Sequence, residues 1–350
     1  MSKFLSILIL TGLCSCDSLV FEKAKDCEVH HYIKFVYDLN LKWANAFASE
    51  VPSVNLYVFD SEGLFIKEYQ GTGEELKTPG YSIEVDLEEG DYKFLAWCGL
   101  RDAEGAPAEY SVPEPVEGET TIEEMSCLLK TVSQGLYGEE GIFSHEELGF
   151  MYWGYLEAYL PDNQDGQSYE YTISLTKDTN HIRIILQDMS GIDLQPDDYR
   201  LEITAANGDL SWDNLLQGDQ LICYQPWNKE NDEVGIGKID VNNGEITYVK
   251  GLVADLSVDR MTFEERKSMM LKIYNTNTQD LIASVPIIQY ALLSKNYYER
   301  AYKHQMTDQE FLDREDEYVM TFFLVNGKWM DAYIDIQQWR IVLHDYDIKQ

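Results

Sequence analysis

Short segments in which apolar and polar residues alternate recur along most of this chain, and they limit its fold more than any other feature. In residues 81–87, Ile83, Val85 and Leu87 fall on one side of a strand, while polar residues fall on the other. Such a strand has one buried and one solvated face. Polar turns separate these segments at short intervals, which is typical of β-sandwiches and not of a βαβ fold. The other predicted strands are 32–37, 54–59, 64–66, 92–98, 169–176, 181–186, 199–204, 245–249, 252–258, 271–274, 281–288, 317–325, 330–336 and 339–344.

Helices are predicted only in the connections between strands. Ser144, Thr262 and Thr307 are each followed three residues later by Glu, the pattern that caps the start of a short helix. The turn-rich segment 161–166 interrupts the strand pattern, and 350 residues exceed what one hydrophobic core usually serves. We therefore expect two β-sandwich domains, one over residues 29–165 and the other over residues 166–350.

The charge of the chain excludes one large class of partners. It carries 27 Lys and Arg against 62 Asp and Glu, a formal net charge of −35. Nucleic acids are bound through clustered cations, so a surface of this sign would repel a phosphate backbone. Aromatic residues make up 13% of the chain, which predicts folded domains and not a disordered acidic polymer.

The amino terminus has the layout of a bacterial lipoprotein signal. Lys3 precedes the apolar run 4–13, which is too short to span a bilayer, and Cys14 and Cys16 follow. Cys16 fits the position of an acylated cysteine because the small Ser15 precedes it, whereas Cys14 follows the bulky Leu13. We expect a signal peptide over residues 1–15, acylation of Cys16 and a tether over residues 16–28. The alternative is an ordinary signal peptide with a coincidental cysteine.

The remaining cysteines are compatible with an exported protein. Cys27, Cys98, Cys127 and Cys223 have no zinc-ligand spacing, and four cysteines allow three complete pairings. A disulfide between Cys27 and Cys98 would fasten the start of the first domain to a core strand. Buried free thiols are the alternative.

No motif for catalysis or cofactor binding stands out. The chain lacks Gly-x-Ser-x-Gly, His-Glu-x-x-His and a phosphate-binding loop. The acidic turn at residues 162–166 has too few carboxylates before its glycine for an EF-hand. We therefore expect no enzyme, metal or cofactor, although paired carboxylates for glycoside hydrolysis cannot be recognised from spacing alone.

Several stretches in the mature chain, taken together and in order, resemble a known family. They are residues 16–18, 33–40, 44–47, 54–60, 95–100, 180–187, 284–293 and 313–324. The likeness is to the Bacteroidales family of fimbrillin-A associated anchor proteins, the FimB-like lipoproteins at the base of fimbriae.

This resemblance implies two tandem transthyretin-like Greek-key β-sandwiches held to the outer membrane by lipid on Cys16. It implies a role in attaching fimbriae to the cell surface and limiting their length. The expected partners are fimbrial shaft or accessory subunits, joined by β-strand pairing. The edge that receives the neighbour cannot be read from the sequence, and no small-molecule substrate is expected.

Two other functions remain open at this stage. A surface glycan-binding lipoprotein of a polysaccharide-uptake system would share export, acylation and β-sandwiches. It would present coplanar exposed Trp or Tyr side chains, whereas an anchor would bury its Trp residues and leave an apolar groove or edge open. A lipid-anchored hydrolase would need carboxylates that converge in a deep pocket.

Overall fold

The computed structural model describes residues 29–162, 167–239, 246–336 and 339–343. The strands up to residue 177 are β1 (His30–Val36), β2 (Ser53–Phe59), β3 (Phe65–Thr72), β4 (Ser82–Val85), β5 (Gly90–Cys98), β6 (Tyr110–Ser111), β7 (Ser126–Leu129), β8 (Val132–Gln134), β9 (Glu140–Ser144), β10 (Tyr152–Leu160), β11 (Ser168–Ser174) and β12 (Thr176–Lys177). The later strands are β13 (Asn180–Asp188), β14 (Tyr199–Ala205), β15 (Asp209–Ser211), β16 (Ile222–Tyr224), β17 (Asn228–Ile239), β18 (Ile246–Val258), β19 (Met270–Asn275), β20 (Leu281–Pro286), β21 (Glu317–Val325), β22 (Lys328–Ile336) and β23 (Trp339–Leu343). The helices are α1 (Phe47–Glu50), α2 (Ile287–Leu292), α3 (Lys295–Tyr302) and α4 (Asp308–Arg314).

Two sheets form the first sandwich. Sheet A has the strand order β11-β1-β4, and sheet B has the order β12-β10-β5-β2-β3. In the middle of sheet A, β1 pairs parallel with β11 and antiparallel with β4. Ile33 and Phe35 alternate along β1 with more exposed residues, and they share a buried cluster with Val54, Leu56 and Phe94 of sheet B. This alternation is what holds the two sheets face to face.

Two larger sheets form the second sandwich. Sheet C has the order β17-β18-β13-β21-β22-β23, and sheet D has the order β20-β19-β14-β16-β9-β8. Ile182 and Ile184 of sheet C and Leu201, Ile203 and Leu271 of sheet D belong to one buried cluster. The regular alternation of buried and less buried residues along β13 and β14 produces this core.

A connecting layer joins the sandwiches. Sheet E, with the order β15-β7-β6, combines strands from both halves of the chain. Tyr57 and Trp97, on the side of sheet B that faces away from sheet A, belong to the same buried cluster as Ile182 and Leu210 of the second half. All seven residues of β2 are therefore buried. One hydrophobic cluster continues from sheet B into the core of the second sandwich.

The prediction of an all-β fold built from sandwiches, with short helices in the connections, is confirmed. The tandem transthyretin-like Greek-key arrangement stays a prediction. The predicted boundary between residues 165 and 166 lies outside the described residues, and the division into domains also stays a prediction. The strand pairing favours a later end of the first sandwich, at Lys177, because β11 and β12 join sheets A and B. In the other direction, β8 and β9 of the first half join sheet D.

Three local predictions are corrected or refined. Ser144 ends β9 and does not begin a helix. The predicted strand 281–288 stops at Pro286, where α2 begins. The cap predicted at Thr307 is present, since the backbone N–H of Glu310 donates a 3.0 Å hydrogen bond to the Thr307 hydroxyl at the start of α4.

Candidate functional site

The residues singled out in the sequence are located first. Cys16 and Cys27 lie outside the described residues, so acylation and the pairing with Cys98 stay predictions. Cys98 ends β5 with its side chain fully buried between sheets A and B, and burial raises the pKa of its thiol. The described cysteines, Cys98, Cys127 and Cys223, form no disulfide with one another.

A buried lysine lies where the chain passes from the first sandwich into the second. The Lys177 side chain is only 3% exposed, and its Nζ donates a 3.0 Å hydrogen bond to Oε2 of Glu50 and another to Asp316. The ammonium also lies 3.8 Å from the centre of the Phe150 ring. Burial would raise the pKa of Glu50, but Lys177 and Lys42 together outweigh this effect and the pKa is lowered. Lys177 therefore connects Glu50 of α1, in the first sandwich, to Asp316, which directly precedes β21 in the second sandwich.

A second set of contacts lies beside Lys177. The backbone N–H of Leu41 donates a 3.2 Å hydrogen bond to the carbonyl of Arg314 at the end of α4. The Arg314 guanidinium lies 4.1 Å from the centre of the Trp43 ring, and its Nε donates a 3.0 Å hydrogen bond to Glu310. The loop before α1 is thus fixed to a helix more than 250 residues later in the sequence.

A buried polar cluster completes this joint. Asp178 is fully buried, and its Oδ1 accepts hydrogen bonds from Arg260 and, at 3.0 Å, from Nδ2 of Asn214. Arg260 also pairs with Asp313 of α4 at 3.0 Å. Burial raises the pKa of Asp178 despite the neighbouring Arg260. Together with Lys177 and Arg314, these groups hold the two sandwiches in one arrangement.

A cleft of about 330 Å³ opens onto the joint, lined by Tyr37, Glu50, Lys177, Tyr298 and Glu315 among others. Several of its charged groups are paired, as the ion pairs of Lys177 with Glu50 and Asp316 show. In the described part of the chain, no cluster of three or more His, Cys, Asp or Glu side chains is arranged to hold a metal ion. The cleft is thus lined by residues of the joint.

The sheet edges are the surfaces through which a β-sandwich can bind an extended partner. Most long edges of the described sheets carry charged residues, which discourage strand pairing. These residues are Lys67 and Glu68 on β3, Glu84 on β4, Glu170 on β11, and Lys229, Glu230, Asp232 and Glu233 on β17. By contrast, β20 contains no charged residue, and Leu281 at its start is 52% exposed.

The tryptophans separate two of the functions considered above. Trp97 is fully buried, and Trp153, Trp212, Trp227 and Trp329 are half-buried. Trp43, at 38%, is the most exposed of these six tryptophans, and the Arg314 guanidinium lies over its ring. These six side chains thus pack against other residues of the protein and do not form a flat tryptophan platform for sugar rings.

Fold and joint together define a class: two β-sandwiches fused through a shared core, with sheet edges as the available binding surfaces. The sequence matches the family described as "Fimbrillin-A associated anchor proteins Mfa1 and Mfa2" over residues 24–345. The chain belongs to this family.

Similar proteins come from related bacteria. The minor fimbrium anchoring subunit Mfa2 of Porphyromonas gingivalis is 22% identical over 209 residues, which are 59% of this chain and 59% of that protein's length. The solved structure of the fimbrial anchor protein Mfa2 from Porphyromonas gingivalis matches 91% of this chain and 100% of its own at 16% identity, with a TM-score of 0.64.

Two structures from Bacteroides thetaiotaomicron are similar as well. A candidate adhesin is 29% identical, with a TM-score of 0.74, and the match covers 90% of this chain and 98% of that one. A candidate polysaccharide-binding protein is 24% identical, with a TM-score of 0.72, over 91% and 99% of the two chains. These likenesses agree with the sandwich fold predicted from the sequence.

Proposed function

We propose that this chain is an outer-membrane lipoprotein that anchors fimbriae to the cell surface and limits their length, with no enzymatic activity. Lipid on Cys16 would hold the protein in the membrane, and the sandwiches would pair with a fimbrial shaft or accessory subunit. The observation that carries the proposal is the match to the anchor family over nearly the whole mature chain.

The joint between the sandwiches supports a mechanical role. An anchor must transmit force from the fibre to the lipid without its domains separating. The buried ion pairs of Lys177, the Asp178 cluster and the shared hydrophobic core all connect the half that follows the tether to the other half. Separating the sandwiches would break these contacts and expose the shared hydrophobic core to water, so together they resist separation.

The alternative function, glycan binding for polysaccharide uptake, has less support. A glycan platform needs exposed, coplanar aromatic rings. The described tryptophans are packed into the protein or covered by Arg314. Their burial favours the anchor.

The membrane attachment can be tested with a matched pair of variants. In the native host, we expect Cys16→Ala to move the protein from the membrane fraction to the soluble fraction, because the acyl chains supply roughly 0.8 kcal/mol of membrane binding per buried CH₂. Cys14→Ala is the control, and it should remain in the membrane fraction. Membrane-bound Cys16→Ala protein would contradict the proposal.

The longest helix within the described residues is α3, with eight residues, and none of the helices there could cross a bilayer.

A further inference from the structure

We propose that the free edge of β20 receives an extended segment of a fimbrial subunit, which pairs with β20 as an additional strand of sheet D. This inference rests on the anchoring function proposed above and names the surface that performs it. Two features of the second sandwich support it: an offset between its sheets, and an edge that is both unpaired and uncharged.

The first feature is that sheets C and D are displaced by one strand. β20 lies opposite β22, and β16 lies opposite β18. Given the strand orders, β23 extends past β20 and has no strand of sheet D opposite it among the described residues. A strand added beside β20 would lie opposite β23 and would complete this end of the sandwich.

The second feature is the free backbone of β20. This strand pairs with β19 on one side, with Val285 opposite Leu271 and Ser284 opposite Lys272. Among the described residues, no strand pairs with its other side. Unpaired N–H and C=O groups along an edge provide the hydrogen bonds by which an incoming strand gains affinity.

The chain protects its other long edges but not this one. Lys229, Glu230, Asp232 and Glu233 follow one another closely on β17, the edge at the far side of sheet C. Leu281–Pro286 has no charge at all, although a quarter of the residues in the chain are charged. An uncharged edge strand is a predicted pairing site, because edge charges are what normally prevent such pairing.

These features define the chemistry of the occupant. It is a short extended segment that pairs with β20 through its backbone and carries few acidic residues, because this chain is itself strongly acidic. A second copy of this chain is a poor occupant, because each copy carries a net charge of −35 and two copies repel each other. The family describes proteins associated with fimbrillin, which identifies a fimbrial subunit as the source of the segment.

The first experiment is site-specific photo-cross-linking on intact cells with the full-length lipoprotein. A photoreactive amino acid at Ser284, on the outer face of β20, should capture a fimbrial subunit that mass spectrometry identifies. The same amino acid at Asn231, exposed on the charged edge β17, is the matched control and should capture none.

The second experiment adds charge to the edge. The double substitution Leu281→Lys and Ser284→Lys places two charges on β20, where both residues are at least partly exposed. Because charges on an edge strand discourage strand pairing, we expect this variant to release fimbriae into the medium. Gln70→Lys with Asn231→Lys adds the same charge to β3 and β17 and should leave fimbriae on the cells. If the β20 double variant fails to fold, the single variant Ser284→Lys takes its place in this experiment. A thermal midpoint equal to that of the unmodified protein shows that the substitution does not affect folding.

The outcomes separate this inference from the proposed function. Three results would overturn the β20 assignment and leave the proposed anchoring function intact. The first is capture of a fimbrial subunit from Asn231 but not from Ser284, and the second is capture of a second copy of this chain from Ser284. The third is that folded β20 variants keep their fimbriae on the cells. Two results together would overturn both the β20 assignment and the anchoring function. They are that neither site captures a fimbrial subunit, and that deletion of the gene leaves the fimbriae unchanged.

Discussion

Lys177 shows how a single residue can connect two sandwiches. Its side chain is almost fully buried, while Glu50 and Asp316 are each partly shielded from solvent. For Lys177→Met we expect the free energy of unfolding to fall by roughly 2–4 kcal/mol. The loss is somewhat less than for a fully buried pair, because Asp316 loses this cation but Glu50 keeps the exposed Lys42. Urea denaturation monitored by tryptophan fluorescence measures this change.

Lys42 offers a matched control because it binds the same carboxylate. Its Nζ lies 3.0 Å from Oε1 of Glu50, but its side chain is 75% exposed. We expect Lys42→Met to lower the free energy of unfolding by no more than about 1 kcal/mol. Equal losses for the Lys42 and Lys177 variants would show that burial does not determine the strength of these pairs.

Glu315 gives the joint a pH dependence. Burial raises the pKa of this carboxyl to about 7, against the opposing effect of hydrogen bonds from Tyr298 and from the backbone N–H of Glu317. Because the folded protein holds this proton more tightly than the unfolded chain, Glu315 lowers stability progressively as the pH rises from about 4.5 to about 7. Above that range its contribution is constant.

Glu315→Gln should remove this effect. We expect the variant to have a higher thermal midpoint than the unmodified protein at pH 7 and above, with the difference vanishing below about pH 4. Glu317→Gln, at an exposed neighbouring position, is the control and should show little change. A midpoint difference for Glu315→Gln that does not vary with pH would contradict the proposed ionisation.

At the scale of the elements, strands with a simple burial pattern could be predicted from the sequence. Residues 82–85 and 180–188 alternate between buried and more exposed positions. The sequence predicts strands at 81–87, from its alternating pattern, and at 181–186. β17 could not be predicted, because it begins as an edge strand with charged residues on both faces. The predicted strand 281–288 was too long, because the apolar run continues into α2 and hydrophobicity alone does not mark the change at Pro286.

The end of β5 depends on a glycine. Gly99 has a φ of +90°, and a Cβ at this position would collide with the backbone carbonyl of Phe150. Gly99→Ala should therefore destabilise the protein by more than the ~1–2 kcal/mol of a left-handed alanine alone. Thermal or urea unfolding measures the difference.

Gly105→Ala is the control for this substitution. Gly105 has a nearly identical φ of +87°, but the space that a Cβ would occupy there is open, with no neighbouring atom within 4 Å. We expect only the conformational loss of ~1–2 kcal/mol at this position. A smaller loss for Gly99→Ala than for Gly105→Ala would contradict the close approach of β5 to the segment before β10.

At the scale of the whole molecule, the sequence predicted the class of fold but not how its parts are joined. Lys177 and its two partners are separated by 127 and 139 residues, and Arg314 reaches back to the loop before α1. Nothing local in the sequence marks such pairs, since each residue resembles an ordinary surface charge. The joint and the offset of sheets C and D follow only from the three-dimensional arrangement.

The anchoring proposal brings these features together in one path of force. The predicted tether, residues 16–28, precedes β1, which lies between β4 and β11 in sheet A. The joint would pass the force to the second sandwich, where the edge of β20 would hold the fibre. This account requires that fimbriae depend on the protein for attachment, whatever edge they use.

The most direct test is to measure how fimbrial protein divides between washed cells and culture medium, with fimbrial length measured by electron microscopy. In cells that lack this chain or carry only its Cys16→Ala form, we expect most fimbrial protein in the medium, or fimbriae longer than normal, and the unmodified chain should restore both properties. Fimbriae that stay on the cells in normal number and length without the chain would contradict the account.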